Sequence, residues 1–151
     1  MEIIVIDQGS EFLDRGVEYF WRQWGEASNF DFYRNCIEHS IYNEAALPKF
    51  FLLLDNDKII GSYALLTNDL ISRQDLLPWL ACLFVDKEYR NQGLAQKLLD
   101  HSMAESRKRG YQTLYLSTSL NNFYEKKGWE YFAMGYTAYG KDIKIYAKNC
   151  N

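Results

Sequence analysis

A strand pattern changes into a helix pattern within the stretch Leu83-Phe84-Val85-Asp86-Lys87-Glu88-Tyr89-Arg90-Asn91-Gln92-Gly93-Leu94-Ala95-Gln96. Its first residues end the run Trp79–Val85, the most apolar strand pattern of the chain, which is typical of a central strand. A helix is predicted over residues 92–109, because apolar side chains recur at helical spacing at Leu94, Leu98 and Leu99. The stretch therefore predicts a strand–turn–helix unit within an α/β fold.

The start of this helix is a predicted anion site. The first backbone N–H groups of a helix have no intrahelical acceptor, and the helix dipole makes this end positive. Gly93 and Ala95 keep bulky side chains away, and Arg90 offers a guanidinium fork for phosphate oxygens. We therefore expect a diphosphate to lie against the backbone here. The alternative is that Gly93 allows close helix–sheet packing and that Arg90 is an exposed surface cation.

The rest of the chain alternates between strand and helix patterns. Further strands are expected at residues 3–6, 49–54, 59–66, 113–117, 129–136 and 141–147. Further helices are expected over residues 13–24 and 30–41 and, as a short one, over 120–127. Ser10 is placed to cap the first of these helices, and Gly128 to end the last. The pattern predicts one α/β domain over residues 1–151, with a mixed sheet, antiparallel edges and helices on both faces.

Composition limits the class of protein. The 151 residues are 48% hydrophobic and 17% aromatic, which fits one globular domain and argues against disorder. The longest apolar run, residues 76–85, contains Pro78 and is shorter than the about 20 residues of a membrane span. Three cysteines without a CxxC pair, and an amino terminus without a basic signal segment, predict a reduced, cytoplasmic protein. Two distant histidines argue against a metal site.

The charge is unevenly distributed along the chain. The formal net charge is −3, but residues 1–75 carry 13 acidic and 6 basic side chains, whereas residues 76–151 carry 7 acidic and 11 basic ones. An acidic half favours cationic partners and a basic half favours anionic ones, although an uneven surface charge without function would look the same. Nucleic-acid-binding surfaces are normally more basic overall, so we expect no nucleic-acid partner.

Two motifs resemble those of the GNAT superfamily of N-acetyltransferases. Arg90-x-x-Gly93-x-Ala95 is similar to the acetyl-CoA signature Arg/Gln-x-x-Gly-x-Gly/Ala, and Phe123-Tyr124-Glu125-Lys126-Lys127-Gly128-Trp129 is similar to the late motif F-Y-x-x-x-G-F/W. The order of elements agrees over essentially the whole chain. The resemblance implies a GNAT-like, mostly antiparallel central sheet of about six to seven strands, and acetyl transfer from acetyl-CoA to an amine.

The resemblance also implies how acetyl-CoA is held, with no metal. Pantetheine would pair with the backbone of Leu83, Phe84 and Val85. The pyrophosphate would lie beside Arg90 and accept hydrogen bonds from the backbone of the following turn. The N–H groups of that turn belong to Asn91, Gln92, Gly93, Leu94, Ala95 and Gln96. Asn121 corresponds to an amide that binds the cofactor in relatives, although the segment before it is shorter than their pattern.

Tyr124 corresponds to the tyrosine that acts as general acid in many relatives. A phenol with an ordinary pKa near 10 can protonate a departing thiolate. The alternative is a packing role, since the chain has 12 tyrosines. A general base is not predicted, because Trp79–Val85 contains no carboxylate. The open candidates are Glu44, His39, Asp75 and a chain of water molecules.

The acceptor that we expect is a small primary amine. Aromatic and acidic side chains share the first two helices, a combination that suits an alkylammonium group, although core packing and a solvated acidic face would give the same pattern. These side chains include Trp21, Trp24, Phe30, Phe32, Tyr33, Glu18, Glu26, Asp31 and Glu38. Two other functions stay open: a non-catalytic acyl-CoA-binding or sensor module, and an acetyltransferase for protein lysines or chain termini. A homodimer is compatible with the sequence.

Overall fold

A computed structural model of the chain describes residues 1–42 and 46–151. The strands of this described part are β1 (Glu2–Val5), β2 (Lys49–Asp55), β3 (Lys58–Leu66), β4 (Trp79–Val85), β5 (Thr113–Thr118), β6 (Glu130–Tyr136) and β7 (Asp142–Asn149). Its α-helices are α1 (Leu13–Trp24), α2 (Phe30–Glu38) and α3 (Leu94–Lys108). Two short 3-10 turns cover Lys87–Tyr89 and Glu125–Lys127.

The strands form one mixed sheet in the order β1-β2-β3-β4-β5-β7-β6. The pairs β1–β2, β5–β7 and β6–β7 are antiparallel, whereas β4 and β5 run parallel, with Trp79 opposite Tyr115. A short two-residue turn at Asn56 and Asp57 joins β2 to β3 as a hairpin. The predicted mixed, mostly antiparallel α/β sheet is therefore confirmed, with seven strands.

The chain divides into two compact units, of which the first contains residues 1–64 and 82–98. In this unit α1 packs closely on β2 and on Ile6, the residue after β1: a Cβ atom at Gly16 would lie only 2.6 Å from Ile6 and 3.2 Å from Leu52. Phe20 of α1 meets Phe50 edge to face, with 5.2 Å between the ring centroids. The apolar face predicted for the first helix is thus its buried face.

The second unit contains residues 65–81 and 99–151. Its core contains Ile145 of β7, Trp79 of β4, and Ile71 and Leu76 of the segment before β4. The register places Ser117 opposite Ile145 and Leu116 opposite Tyr146. Successive side chains of a strand point to opposite faces, so this unit has an Ile145 face, which bears Ser117 and Ile145, and a Tyr146 face, which bears Lys144, Tyr146 and Lys148.

The short helix predicted over residues 120–127 is wrong. The segment has one 3-10 turn, Glu125–Lys127, because Asn122 has a left-handed backbone with φ of 64°. Lys144 also holds the segment open, since its Nζ donates to the carbonyl oxygen of Leu120 at 3.0 Å and to Oδ1 of Asn121 at 2.5 Å. Gly128 ends the turn with φ of 85°, as expected for a glycine that stops a helix.

Two predicted helix termini also differ from the structure. The second helix ends at Glu38, before the expected residue 41, and its carboxyl cap is His39. Ser10 is not the N-cap of α1: its hydroxyl accepts the N–H of Phe12 at 3.1 Å, and the helix starts one residue later. Within the described ranges, every helix is too short or too polar to cross a bilayer. Single-domain organisation over residues 1–151 stays a prediction.

Candidate active site

In the first unit, a tight turn joins the end of β4 to the start of α3. After Val85, the 3-10 turn Lys87–Tyr89 leads to Arg90, whose backbone is extended. Asn91 and Gly93 then take left-handed conformations, with φ of 64° and 77°. Two left-handed residues so close together turn the backbone sharply into the helix, and the second of them is the glycine of the predicted phosphate motif.

Backbone N–H groups point out of this end of α3. The N–H of Lys97 donates to the carbonyl oxygen of Gly93 at 3.1 Å, a hydrogen bond of the α-helical type. Helix geometry leaves the N–H groups of Leu94 and Ala95, at the start of the helix, without an acceptor in the preceding turn. Together with the positive end of the helix dipole, these donors suit a phosphate group.

Gly93 faces open space. A Cβ atom built on it would have no other atom within 4 Å, so close packing does not explain the glycine. The positive φ of Gly93 explains the glycine instead, because residues other than glycine rarely adopt this backbone conformation. The alternative in which Gly93 allows tight helix–sheet packing is therefore wrong. The surface above Gly93 is therefore open, as the predicted diphosphate site requires.

Arg90 is exposed but held in place. Its Nε donates to the carbonyl oxygen of Val85 at 2.9 Å, and its guanidinium carbon lies 5.4 Å from the centre of the Phe84 ring. A fixed cation beside a helix N-terminus is a favourable arrangement for a phosphate.

Two tyrosine hydroxyl groups donate hydrogen bonds that connect this turn to other parts of the first unit. The hydroxyl of Tyr19 donates to Oδ1 of Asp86 at 2.5 Å, and that of Tyr89 donates to Oδ2 of Asp55 at 3.1 Å. Burial and the Asp86 carboxylate hold the pKa of Tyr19 far above its usual range, so this hydroxyl stays protonated. Sequence reasoning missed Tyr19, because nothing in its local pattern indicates a contact with a residue 67 positions away.

The predicted pantetheine strand is half-buried at Leu83 and Phe84 and buried at Val85. The carbonyl oxygen of Phe84 faces Gly61 of β3, and the N–H of Asp86 donates to Ile60 of the same strand at 2.7 Å. Because peptide groups alternate along a strand, those of Leu83 and Val85 face the other edge of β4. The carbonyl oxygen of Val85 already accepts a hydrogen bond from Nε of Arg90.

In the second unit, Tyr124 lies on the Tyr146 face. Its ring meets those of Phe123 at 4.9 Å, Trp129 at 6.1 Å and Tyr146 at 6.5 Å between centroids. Burial raises the pKa of Tyr124 to about 12, above the expected value near 10. Within residues 1–42 and 46–151 its hydroxyl has no hydrogen-bond partner, so the proton is available to a bound molecule. The ring of Tyr124 therefore makes packing contacts, while its hydroxyl group stays available as a hydrogen-bond donor.

Asn121 is exposed, and its carboxamide oxygen is already engaged by Lys144. Only the amide N–H₂ group of Asn121 is left for a ligand. Nearby, the hydroxyl of Tyr146 donates to Oε2 of Glu125 at 2.8 Å. This hydrogen bond lowers the pKa of Glu125 and raises the pKa of Tyr146, which makes the pair a fixed support beside Tyr124.

Two of the residues predicted as possible general bases, Asp75 and His39, are already hydrogen-bonded within the protein. Asp75 is held by two hydrogen bonds from Arg73, at 2.9 and 2.8 Å, which lower its pKa and make it a weak base. His39 hydrogen bonds through Nδ1 to the carbonyl of Asn35 at 2.8 Å. Glu44 lies outside the described residues. The geometry of neither Asp75 nor His39 favours proton transfer.

Sequence reasoning missed Asp69, which follows β3. Its Oδ2 lies 3.4 Å from the hydroxyl oxygen of Ser117 on β5, 48 residues further along the chain. Burial raises the pKa of Asp69 to about 6, and the Ser117 hydroxyl opposes that shift. No local signal marks this residue, because Asn68 and Asp69 read as an ordinary turn.

The acidic and aromatic cluster of the first two helices is largely paired within itself. Arg22 binds Glu18 at 2.7 Å, and Arg34 binds Glu38 at 2.8 Å. Trp21 packs edge to face on Phe30, with 5.3 Å between centroids. Most of this cluster thus has a structural explanation. Asp31 and Phe32 remain exposed, the latter at 55%.

Metal ligands do not gather in the described part of the chain. Within residues 1–42 and 46–151, no three His, Cys, Asp or Glu side chains come together as a metal site would require.

Comparison with known proteins identifies the family. The model of the acetyltransferase (GNAT) domain matches residues 47–131. N-alpha-acetyltransferase 30 of Schizosaccharomyces pombe is 38% identical over 87 residues, which are 54% of this chain and 57% of that protein. The chain therefore spans little more than half the length of this curated relative.

Solved structures match over almost the whole chain. The aminoglycoside 6'-N-acetyltransferase from Enterococcus faecium has a TM-score of 0.75 and 19% identity, covering 100% of this chain and 98% of that one. A GNAT family acetyltransferase from Elizabethkingia anophelis, solved with acetyl-CoA bound, has a TM-score of 0.67 and 15% identity, covering 98% and 97%. At these identities the similarity shows a shared fold.

Proposed function

Because the chain belongs to the GNAT acetyltransferase family, we propose that it transfers the acetyl group of acetyl-CoA to the nitrogen of a primary amine. One observation carries this proposal: Gly93, with φ of 77°, faces open space at the N-terminus of α3, with the fixed guanidinium of Arg90 in the same turn. A glycine in this conformation beside unpaired N–H donors is what a diphosphate needs to approach the backbone.

The residues of the turn would hold the cofactor. The pyrophosphate would accept hydrogen bonds from the backbone of residues 91–96 and from Arg90. The peptide groups of Leu83 would pair with the amides of pantetheine, while Phe84 and Val85 support that strand. Asn121 stays a predicted donor to the cofactor, through its amide N–H₂ group.

Tyr124 would act as the general acid. Bound acetyl-CoA supplies an activated thioester whose sulfur must leave as a thiol. The Tyr124 hydroxyl is protonated throughout the physiological range, because its pKa is raised to about 12. It has no competing hydrogen-bond partner within the described residues, so it is free to donate its proton to the departing sulfur.

A small amine with several positive charges is the acceptor that we propose. Residues 1–75 carry 13 acidic and 6 basic side chains, and such a field concentrates polycations more strongly than a group of single charge. Exposed Asp31 and Phe32 of α2 offer a carboxylate and an aromatic ring for an ammonium group. A free chain terminus, by contrast, brings one charge.

The second candidate acceptor is the amino terminus of a protein. It is favoured by the 38% identity to N-alpha-acetyltransferase 30 over 87 residues. Both acceptors are primary amines and need the same cofactor site, so the acceptor alone separates the two functions.

Release of coenzyme A thiol, measured with acetyl-CoA and an amine panel, tests the proposal. The panel contains polyamines, aminoglycosides, free amino acids, and peptides with either a free or an acetylated amino terminus. We expect turnover with a polycationic small amine and none with the acetylated peptide. Turnover restricted to free-terminus peptides would support the second candidate. Acetyl-CoA binding without turnover on any amine would contradict both and favour an acyl-CoA sensor.

A further inference from the structure

Four side chains of the first unit meet where α1 approaches the turn before α3. The Phe84 ring centroid lies 6.3 Å from that of Tyr19 and 5.4 Å from the guanidinium carbon of Arg90. The Tyr19 hydroxyl donates to Oδ1 of Asp86 at 2.5 Å. A hydroxyl group, a carboxylate and a cation therefore share one small region beside the predicted cofactor turn.

The backbone of Asp86 is fixed without the help of its side chain. Its N–H donates to the carbonyl oxygen of Ile60 at 2.7 Å, and its carbonyl oxygen accepts the N–H of Tyr89 at 2.9 Å. Within the described part of the chain, the Asp86 side chain makes one hydrogen bond, the one from Tyr19. The Tyr19 hydroxyl thus sets the direction of the carboxylate, while the backbone contacts place the turn.

Helix α1 is held on the sheet by apolar packing. Val17 and Phe20 of α1 are fully buried, and Phe20 meets Phe50 edge to face. Tyr19 lies between them in sequence but is only half-buried. Because these apolar contacts do not involve the Tyr19 hydroxyl, the hydrogen bond to Asp86 contributes little to the packing of α1.

Arg90 is the cation that the Asp86 carboxylate would otherwise bind. Its Nε donates to the carbonyl oxygen of Val85, so the guanidinium lies next to the residue that precedes Asp86. Burial and the Asp86 hydrogen bond raise the pKa of Tyr19, and the positive charge of Arg90 opposes them, so this charge reaches the Tyr19 hydroxyl. Among the described residues, however, neither Arg90 nor Asp86 belongs to an ion pair.

An ion pair between Arg90 and Asp86 would compete with a phosphate for the guanidinium. Arginine binds carboxylates and phosphates through the same fork of N–H donors, so such a pair would occupy donors that a pyrophosphate needs. A carboxylate turned towards the helix N-terminus would also repel the phosphate. A hydrogen bond that holds the Asp86 carboxylate towards α1 avoids both effects.

We propose that Tyr19 is a positioning residue for the cofactor site: its hydroxyl holds the Asp86 carboxylate towards α1 and so keeps the Arg90 guanidinium available to the pyrophosphate of acetyl-CoA. This inference rests on the proposed function, because it takes Arg90 as a ligand of the cofactor. Tyr19 needs no contact with acetyl-CoA. Its effect reaches the ligand through Asp86 and Arg90, so double substitutions can isolate it.

Calorimetric titration of acetyl-CoA compares Tyr19→Phe with Tyr89→Phe, the same substitution at a tyrosine of the turn that donates to Asp55. We expect Tyr19→Phe to raise the Kd by about threefold to tenfold, because a pair between Asp86 and Arg90 must then break before phosphate binds. Tyr89→Phe should stay within about twofold of the parent, since it leaves the Tyr19–Asp86 hydrogen bond in place.

Two further backgrounds separate positioning from a structural effect. Asp86→Asn keeps an acceptor for the Tyr19 hydroxyl but removes the charge, so adding Tyr19→Phe to it should change the Kd by less than about twofold. In Arg90→Ala, Tyr19→Phe should likewise have no further effect on the Kd, because no guanidinium remains to compete for. Thermal denaturation checks that each variant is folded.

Equal affinity of Tyr19→Phe and the parent for acetyl-CoA would overturn this inference. A loss of affinity that persists in the Asp86→Asn or Arg90→Ala background would overturn it too, because the effect would then be structural. In either case, binding by the parent would leave the proposed cofactor site standing. A parent that does not bind acetyl-CoA would overturn the proposed function and this inference with it.

Discussion

Arg90 folds back along the strand that precedes it, because its Nε donates to the carbonyl oxygen of Val85 at 2.9 Å. The guanidinium therefore stands beside the N-terminus of α3 before any ligand arrives. Little side-chain freedom remains to be lost on binding, which favours affinity for a phosphate.

Arg90→Ala should weaken acetyl-CoA binding by about tenfold to a hundredfold, since a charge-assisted hydrogen bond to a ligand is worth roughly 1.5–3 kcal/mol. The variant should also lose part of the salt dependence of binding, because exposed charge contacts are screened by salt. Calorimetric titration at two ionic strengths measures both effects. Arg90→Lys is the control: it keeps the charge and should keep the salt dependence, with intermediate affinity. Parent-like affinity of Arg90→Ala at both salt concentrations would contradict the role assigned to this residue.

Tyr124→Phe should leave acetyl-CoA binding nearly unchanged and lower turnover by a factor on the order of 10² to 10⁴. Because burial raises the pKa of Tyr124 to about 12, the parent rate should show no decline from loss of the Tyr124 proton up to about pH 10. A pH profile of kcat measures this. Tyr131→Phe, an exposed tyrosine of β6, serves as the control and should behave as the parent. A parent profile that falls near pH 9 and a fully active Tyr124→Phe would remove Tyr124 from the mechanism.

Asp69→Asn should stabilise the protein at neutral pH. The pKa of Asp69 is about 6 in the folded chain and near 3.8 when unfolded, so between these values the folded state binds more protons. Stability from this group is therefore full below about pH 4, falls as the pH rises to 6, and stays low above it. Removing the carboxyl group should raise the free energy of unfolding at pH 7 by on the order of 2 kcal/mol.

Urea denaturation at pH 4.5 and pH 7 measures this difference for Asp69→Asn and Asp75→Asn. The Asp75 variant should show no gain, because its carboxylate is stabilised by Arg73 and has a lowered pKa. An Asp69→Asn protein that is less stable than the parent at pH 7 would mean that the carboxylate supports the fold.

Local sequence patterns predicted the elements that an unbroken run of characteristic residues marks. The strand Trp79–Val85 has the bounds that its unbroken apolar run indicates. The phosphate turn was predicted for the same reason: glycine, small residues and a helix start lie within a few positions of each other. Gly93 then proved to have the left-handed backbone that only glycine adopts easily.

The features that could not be predicted depend on contacts between distant parts of the chain. Lys144 prevents a helix at Leu120 from a position 24 residues away, and Ser117 meets Asp69 across 48 residues. Cys82 has φ of 55° inside β4, where the sequence shows only an uninterrupted strand pattern. A buried carboxyl group on a turn has no motif, because its raised pKa comes from burial and not from neighbours in sequence.

Gly93 and Gly140 are matched positions, so a comparison of their alanine variants separates an effect on cofactor binding from the effect of backbone strain. Both have left-handed backbones, with φ of 77° and 81°, and at both positions a Cβ atom would have no neighbour within 4 Å. Gly93→Ala and Gly140→Ala should therefore lose similar stability, about 1–2 kcal/mol. Only the first places a methyl group at the turn where the pyrophosphate is proposed to bind.

Calorimetric titration of acetyl-CoA into these two folded alanine variants is the most direct test of the central claim, that the α3 turn binds the cofactor. We expect Gly93→Ala to raise the Kd by about tenfold or more, and Gly140→Ala to keep it within about twofold of the parent. Equal affinities in the two variants, with matched losses of thermal stability, would contradict the assignment of the cofactor to this turn.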